Sequence, residues 1–275
     1  MRRSALRQLV VFLTFVSVVA FIVIFILVRR EGVRMAVVQK PFSGPSTTFT
    51  WQVLAPGMDR LETTYASTTG AGLILYRLSS ARFSTYFDHH LPPEHVSVWG
   101  AEHTTGTALV INGAYFHEDY LPSGFMRVSG TRIGTRSFDL EKSGVILLHP
   151  LRMIDTAERK LDLTAYPNAL QSYPFLINKG VVAIQQDSGK IARRTFLGLD
   201  DQGHIYVGVA PYAPLSLYQL AQALAVLPIS WSTVLNLDGG PSTGLFARYG
   251  QAEDLYDSYV PVPNTILFTS SPPSE

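Results

Sequence analysis

The chain has 275 residues, 47% of them hydrophobic, enough for one large domain or two small ones. It contains no cysteine, which excludes disulfides, thiolate catalysis and cysteine-ligated metals. The first 34 residues hold six of the 22 basic residues and one of the 21 acidic ones. What remains carries 16 basic against 20 acidic residues, and a mildly acidic chain without a basic run argues against a nucleic-acid partner.

Leu9 to Val28 is apolar except for Thr14 and Ser17, and as a helix would extend about 30 Å, enough to span a bilayer. Arg2, Arg3 and Arg7 precede it, Arg29, Arg30 and Arg34 follow, and no small-x-small cleavage site closes the run. The expectation is an uncleaved single-pass anchor in residues 1–34, with the globular part outside the cytoplasm. A linker is expected over 35–53, a folded domain over 54–270 and a polar tail over 271–275. The fold class expected is α+β: a transmembrane helix, then one sheet-rich domain with a few helices packed on the sheets.

Strands are predicted at Leu61 to Ser67, Gly72 to Leu78 and Arg82 to Phe87, which are rich in Thr, Tyr, Ile and Val between Gly and Ser clusters. D-H-H-L-P-P-E-H then reads as a solvated loop entering a short helix at Pro93. Its histidines lack the spacing of a metal motif, and no metal or cofactor is assigned. Thr107 to Phe116 is a buried strand ending in Asn112-Gly113, where a hairpin turn competes with a site. Glu118 and Asp119 lie in the loop that follows.

Ser143 to Leu148 and Leu161 to Tyr166 read as strands, and Gln171 to Ile184 as a strand, a Lys-Gly turn and a returning strand. Ile191 to Leu199 places Arg193 and Arg194 in an apolar run, where alternation sends one to each face. An inward arginine needs an anion, either a core carboxylate or a ligand phosphate. After a strand at His204 to Ala210, Ser216 and Gln219 form a capping-box pattern, with Leu217, Leu220, Ala221, Leu224 and Leu227 at helical spacing.

Thr233 to Leu237 is the next buried strand, interrupted only by Asn236, and it delivers Asp238-Gly239-Gly240 followed by Pro241, Ser242 and Thr243. A carboxylate at a strand mouth beside glycine amides and two hydroxyls suits an anionic or sugar ligand. A plain Asp-Gly turn is the structural alternative. A last strand runs through V-P-V-P-N-T-I-L-F.

Taken in order, N-G-A-Y-F, P-S-G-F, Q-S-Y-P-F-L-I-N-K-G, R-T-F-L-G-L-D, L-Y-Q-L-A, L-N-L-D-G-G-P-S-T and V-P-N-T-I-L-F resemble the phosphodiester glycosidase family over Leu54 to Phe268. Ala114, Tyr173 and Pro241 depart from its pattern. The resemblance implies a hydrolase acting on a sugar-1-phosphodiester in cell-envelope or exopolysaccharide metabolism. The leaving group is then an acidic phosphate monoester, so one carboxylate and one cation can suffice. Asp238 is assigned as the carboxylate and Arg194 as the phosphate clamp. Asn112 and Asn236 would orient sugar hydroxyls or that carboxylate. Ser242, Thr243 and the Gly239 and Gly240 amides would contact the substrate, with Glu118 or Asp119 as a second acid if two are needed. The rival reading is a membrane-anchored module that binds polysaccharide or assists its assembly without turnover. An esterase built on Ser242 lacks its elbow and its histidine.

Overall fold

The computed structural model describes residues 49–64, 72–135, 144–156 and 161–270, all within the compact unit Thr47–Glu275. Three antiparallel sheets carry the fold. The largest has eight strands in the order β1 (Gln52–Ala55), β2 (Met58–Thr64), β3 (Gly72–Leu78), β14 (Ile205–Leu215), β13 (Ala192–Asp200), β15 (Trp231–Asn236), β11 (Phe175–Asn178) and β12 (Val181–Val182). A second runs β17 (Ala252–Tyr256), β16 (Leu245–Tyr249), β5 (Ala108–Asn112), β18 (Val262–Ser270) and β4 (Phe83–Glu94). The third runs β7 (Thr131–Ile133), β6 (Met126–Val128), β10 (Ala169–Ser172), β8 (Gly144–Leu147) and β9 (Arg152–Asp155).

The large sheet is buried on both faces, which is why its central strands are apolar almost throughout. From one face Ile74, Leu197, Val207, Val209 and Leu235 join Leu109, Ile111, Ile266 and Phe268 of the second sheet and Ile146 and Leu170 of the third in one core. From the other, Leu75, Phe196, Tyr206 and Val234 pack against Leu220, Ala221 and Leu224 of the Leu217–Ala225 helix. Each such leucine contributes about 2 kcal/mol by leaving water. Ser216 starts that helix as its sequence announces, with Gln219 N–H donating to Ser216 Oγ at 3.1 Å and Ser216 N–H to Gln219 Oε1 at 2.9 Å. The other helix, Val96–His103, covers the outer face of the second sheet through Val96 and Trp99, which meet Val110, Phe246 and Val262.

Several expectations are corrected. Only two α-helices occur among the described residues, and none of the described helices is long and apolar enough to cross a membrane. The expected α+β class with a spanning N-terminal helix therefore gives way to a sheet-dominated fold. Leu9 to Val28 itself, and most of the stretch read as linker, lie outside the described residues.

The histidine-rich stretch is strand, because β4 runs on to Glu94 against β18. Its two prolines fall in a bulge between the pairs His89↔Asn264 and Glu94↔Val262, where no ladder hydrogen bond is asked of them. Leu161 to Tyr166 is no strand either: Asp162 Oδ1 accepts from Thr164 N–H at 3.0 Å and caps a short 3₁₀ turn over Leu163–Ala165. Gln171 belongs to the third sheet, and the Lys179-Gly180 hairpin joins only β11 to β12.

Candidate active site

The ends of β5, β13 and β15 meet at one rim, and the chain beyond β15 closes it. β13 and β15 pair antiparallel with Phe196 opposite Asn236, and Leu237 N–H extends the ladder to the Thr195 carbonyl at 2.9 Å. One further step sets Asp238 opposite Arg194. Alternation then gathers Arg194, Phe196, Asn236 and Asp238 on one face of the sheet, with Arg193, Thr195 and Leu197 on the other. The register thus decides which of the two adjacent arginines accompanies the carboxylate.

Gly239 and Gly240 are needed for different reasons. A Cβ at Gly239 would lie 2.7 Å from the Arg193 carbonyl oxygen, so only glycine lets the loop cross the β13 backbone this closely. Gly240 takes φ +60 to enter the 3₁₀ turn Gly240–Ser242. That turn folds Ser242 back toward Asp238. The carboxylate accepts from Gly239 N–H at 2.8 Å and is hydrogen-bonded by the Ser242 side chain. Burial lifts the pKa of Asp238 above the ordinary carboxylate range, and those two hydrogen bonds oppose the rise without cancelling it.

Asn112 is the joint between the sheets. It is buried, and its Nδ2 donates to the Asp238 carbonyl at 2.8 Å. Its Oδ1 accepts from Thr195 Oγ1 at 2.7 Å and from Gly244 N–H at 3.1 Å. The amide is engaged with protein on both ends, so Asn112 holds the loop in place rather than facing a sugar. The hairpin alternative is excluded as well, since β5 pairs with β16 and β18.

Asn236 Nδ2 donates to Tyr115 Oη at 2.6 Å, to the Tyr173 carbonyl at 3.1 Å and to the Leu237 carbonyl at 2.7 Å. Two buried acceptors nearby in sequence, Asn236 Oδ1 and Thr243 Oγ1, have no hydrogen-bond partner.

Arg194 is buried, and burial depresses its pKa. Its Nε donates to the Leu215 carbonyl at 2.8 Å and its Nη2 to the Lys190 carbonyl at 2.8 Å. No carboxylate among the described residues pairs with it. A guanidinium oriented by two carbonyls keeps its full charge for whatever enters.

Tyr115 lies within the electrostatic reach of both charged groups. Burial first, then the Asp238 charge, raises its pKa far above the usual phenol value, while Arg194 opposes the rise. The phenol therefore stays protonated at working pH. Its hydroxyl donates to the Tyr173 carbonyl at 3.2 Å, and the two rings pack with centroids 5.0 Å apart. Neither Tyr115 nor Thr195 emerges from the sequence as a site residue. The available signal is position: Tyr115 stands three residues after Asn112 in N-G-A-Y-F, and Thr195 directly follows the arginine pair.

Other expectations fare differently. Gly239 N–H is taken by the Asp238 side chain and is not offered to a ligand. Glu118 and Asp119 sit in an exposed loop, where Asp119 Oδ1 accepts from Leu121 N–H at 3.1 Å in a turn. Glu94, Glu102 and His103 bring ligand atoms within 4.8 Å of one another beside the Val96–His103 helix. Glu102 and His103 are exposed, and such surface clusters are common without an ion.

The described strand ends thus bring a sheltered carboxylate and a buried guanidinium, paired with no described carboxylate, to one rim of a sheet-dominated domain. The chain belongs to the phosphodiester glycosidase family, whose model matches residues 105–269, more than half of its length. A hypothetical protein from Synechocystis shares the fold with a TM-score of 0.57 at 14% identity, over 82% of this chain and 64% of that one. This chain thus matches less than two thirds of the Synechocystis protein. The catalytic domain of zebrafish N-acetylglucosamine-1-phosphodiester alpha-N-acetylglucosaminidase, auto-inhibited by its pro-peptide, aligns with a TM-score of 0.56 at 15% identity, over 80% of this chain and 87% of that one. No curated protein matches.

Proposed function

We propose that the chain is a hydrolase that cleaves a sugar-1-phosphodiester at the sugar–oxygen bond. The carrying observation is that Asp238 and the buried Arg194 share one sheet face at the ends of β15 and β13, with no described carboxylate paired to Arg194. Family membership and the fold shared with the zebrafish domain support the same substrate class.

In this reading Arg194 holds the phosphate oxygens through the guanidinium edge its two carbonyl partners leave open. Asp238 takes a proton from water as that oxygen bonds to C1. The C1–O bond breaks, and its electron pair leaves on the phosphate monoester, which is acidic enough to depart without a strong proton donor. The neutral Tyr115 phenol, whose O–H is donated to the Tyr173 carbonyl, borders the same locus. Asn112 and Asn236 position the residues that do this work.

Turnover of a glycosyl-1-phosphodiester by the full chain tests the proposal, with Asp238→Asn as control. Asparagine retains an acceptor for Gly239 N–H but carries no charge, so the rate is expected to fall by a factor on the order of 10² or more while the fold persists. Because Asp238 works ionised and its pKa is raised, wild-type activity is lost as pH falls through a point above the ordinary carboxylate range. Near wild-type turnover in a folded Asp238→Asn protein would end this reading. No turnover by the wild type across several sugars would favour a binding module.

A further inference from the structure

On the far flank of the Asp238 loop, Arg193 is buried without an ion pair to any described carboxylate. Its Nε donates to the Pro211 carbonyl at 2.9 Å and its Nη2 to the Asp257 carbonyl at 2.9 Å. Nη1 is buried with no hydrogen-bond partner. What covers this guanidinium is a ring: its Cζ lies 3.9 Å from the ring centroid of Tyr259. The Tyr259 backbone is fastened too, with N–H donating 2.7 Å to the carbonyl of Pro241 in the Asp238–Ser242 loop. Yet Tyr259 is 71% exposed, as is Tyr212, the neighbour of Arg193's partner Pro211.

An exposed aromatic residue is ordinarily free to turn, and binding must then pay the entropy of stilling it. Tyr259 is held beforehand, one face on a buried cation and its main chain on the loop that bears Asp238, with the remainder open to solvent. A flat, electron-rich face fixed in this way matches the C–H-bearing face of a pyranose, whose hydrogens carry partial positive charge. We propose that Tyr259, seated on Arg193, is a stacking subsite for a pyranose ring of the substrate beside the cleavage point. The proposal takes from the hydrolase reading only that the ligand is a glycan. Its test is a binding measurement that needs no turnover.

The full chain labelled with 3-fluorotyrosine gives a ¹⁹F resonance for Tyr259, assigned by its absence in Tyr259→Phe. Titration with methyl α-D-glucopyranoside, its 2-acetamido counterpart and methyl α-D-mannopyranoside is expected to shift that resonance saturably for at least one sugar. In turnover, Tyr259→Ser is expected to raise KM about threefold to tenfold for a phosphodiester with a sugar on each side, with kcat little changed, whereas Tyr259→Phe keeps the wild-type KM. No saturable shift with any of the three sugars overturns the subsite even if the enzyme turns over. A saturable shift in a chain without turnover upholds the subsite and sinks the hydrolase reading instead.

Discussion

Asn112→Ala separates a structural joint from a sugar ligand. The substitution deletes four hydrogen bonds at once: Nδ2 to the Asp238 carbonyl at 2.8 Å and to the Gly113 carbonyl at 3.4 Å, Thr195 Oγ1 to Oδ1 at 2.7 Å and Gly244 N–H to Oδ1 at 3.1 Å. Thr195 is fully buried, so its hydroxyl and the Gly244 amide lose an acceptor where water is scarce. With each stranded buried group costing about 1–3 kcal/mol, the summed penalty is about 4 kcal/mol. For a domain of this size that lowers Tm by roughly 8–16 °C. Circular-dichroism melts measure it, and turnover at a temperature well below the new Tm measures kcat. The expected result is a large Tm loss together with a fall in kcat, because the Asp238 carbonyl loses its bond to β5. A Tm within 2 °C or so of wild type, with the whole effect in KM, would refute the reasoning and return Asn112 to the sugar.

Two further outcomes are expected. Arg194→Lys loses the donors to Leu215 and Lys190 and presents a point charge, so inorganic phosphate should inhibit the variant about tenfold less well than wild type; unchanged inhibition in a folded protein would remove Arg194 from the phosphate site. Asp200 is a pH probe of the scaffold: burial opposes its ionisation, but bonds from His204 and Tyr206 prevail and hold its pKa below the ordinary aspartate value. A depressed carboxylate stabilises fully above its unfolded pKa and ceases to as pH falls through the folded one, so urea midpoints measured downward from pH 3.8 should decline less steeply in Asp200→Asn than in wild type.

What the sequence makes legible is what neighbouring residues decide. Ser216 and Gln219 announce their helix because the capping bonds span three residues. The strands of the large sheet read as unbroken apolar runs because the core claims both of their faces. Asp238 and Asn236 stand out since one short segment carries both. Distant partners are what hide the remainder. Pro92 and Pro93 argue locally against a strand, and only the pairing with β18 makes one. Asp162 diverts Leu161 to Tyr166 from strand to 3₁₀ turn by a side-chain bond that apolar patterning does not register. Adjacent arginines look alike in the sequence, and the register with β15 assigns Arg194 to Asp238 and leaves Arg193 to Tyr259. Tyr115 joins the candidate site only once Asn236, 121 positions away, is brought to its hydroxyl.

The Asn112 joint also bears on how this chain is made. Its bond to the Asp238 carbonyl spans 126 residues and its bond to Thr195 spans 83. Closures that long come late, because the loop entropy must be met before the contact returns anything. A ribosome must therefore deliver nearly the whole chain before the rim can assemble, and a growing chain holds partly paired sheets with open edges until then. Chains released early would carry β5 and β13 with no β15 between β13 and β11, a state prone to self-association rather than to weak activity.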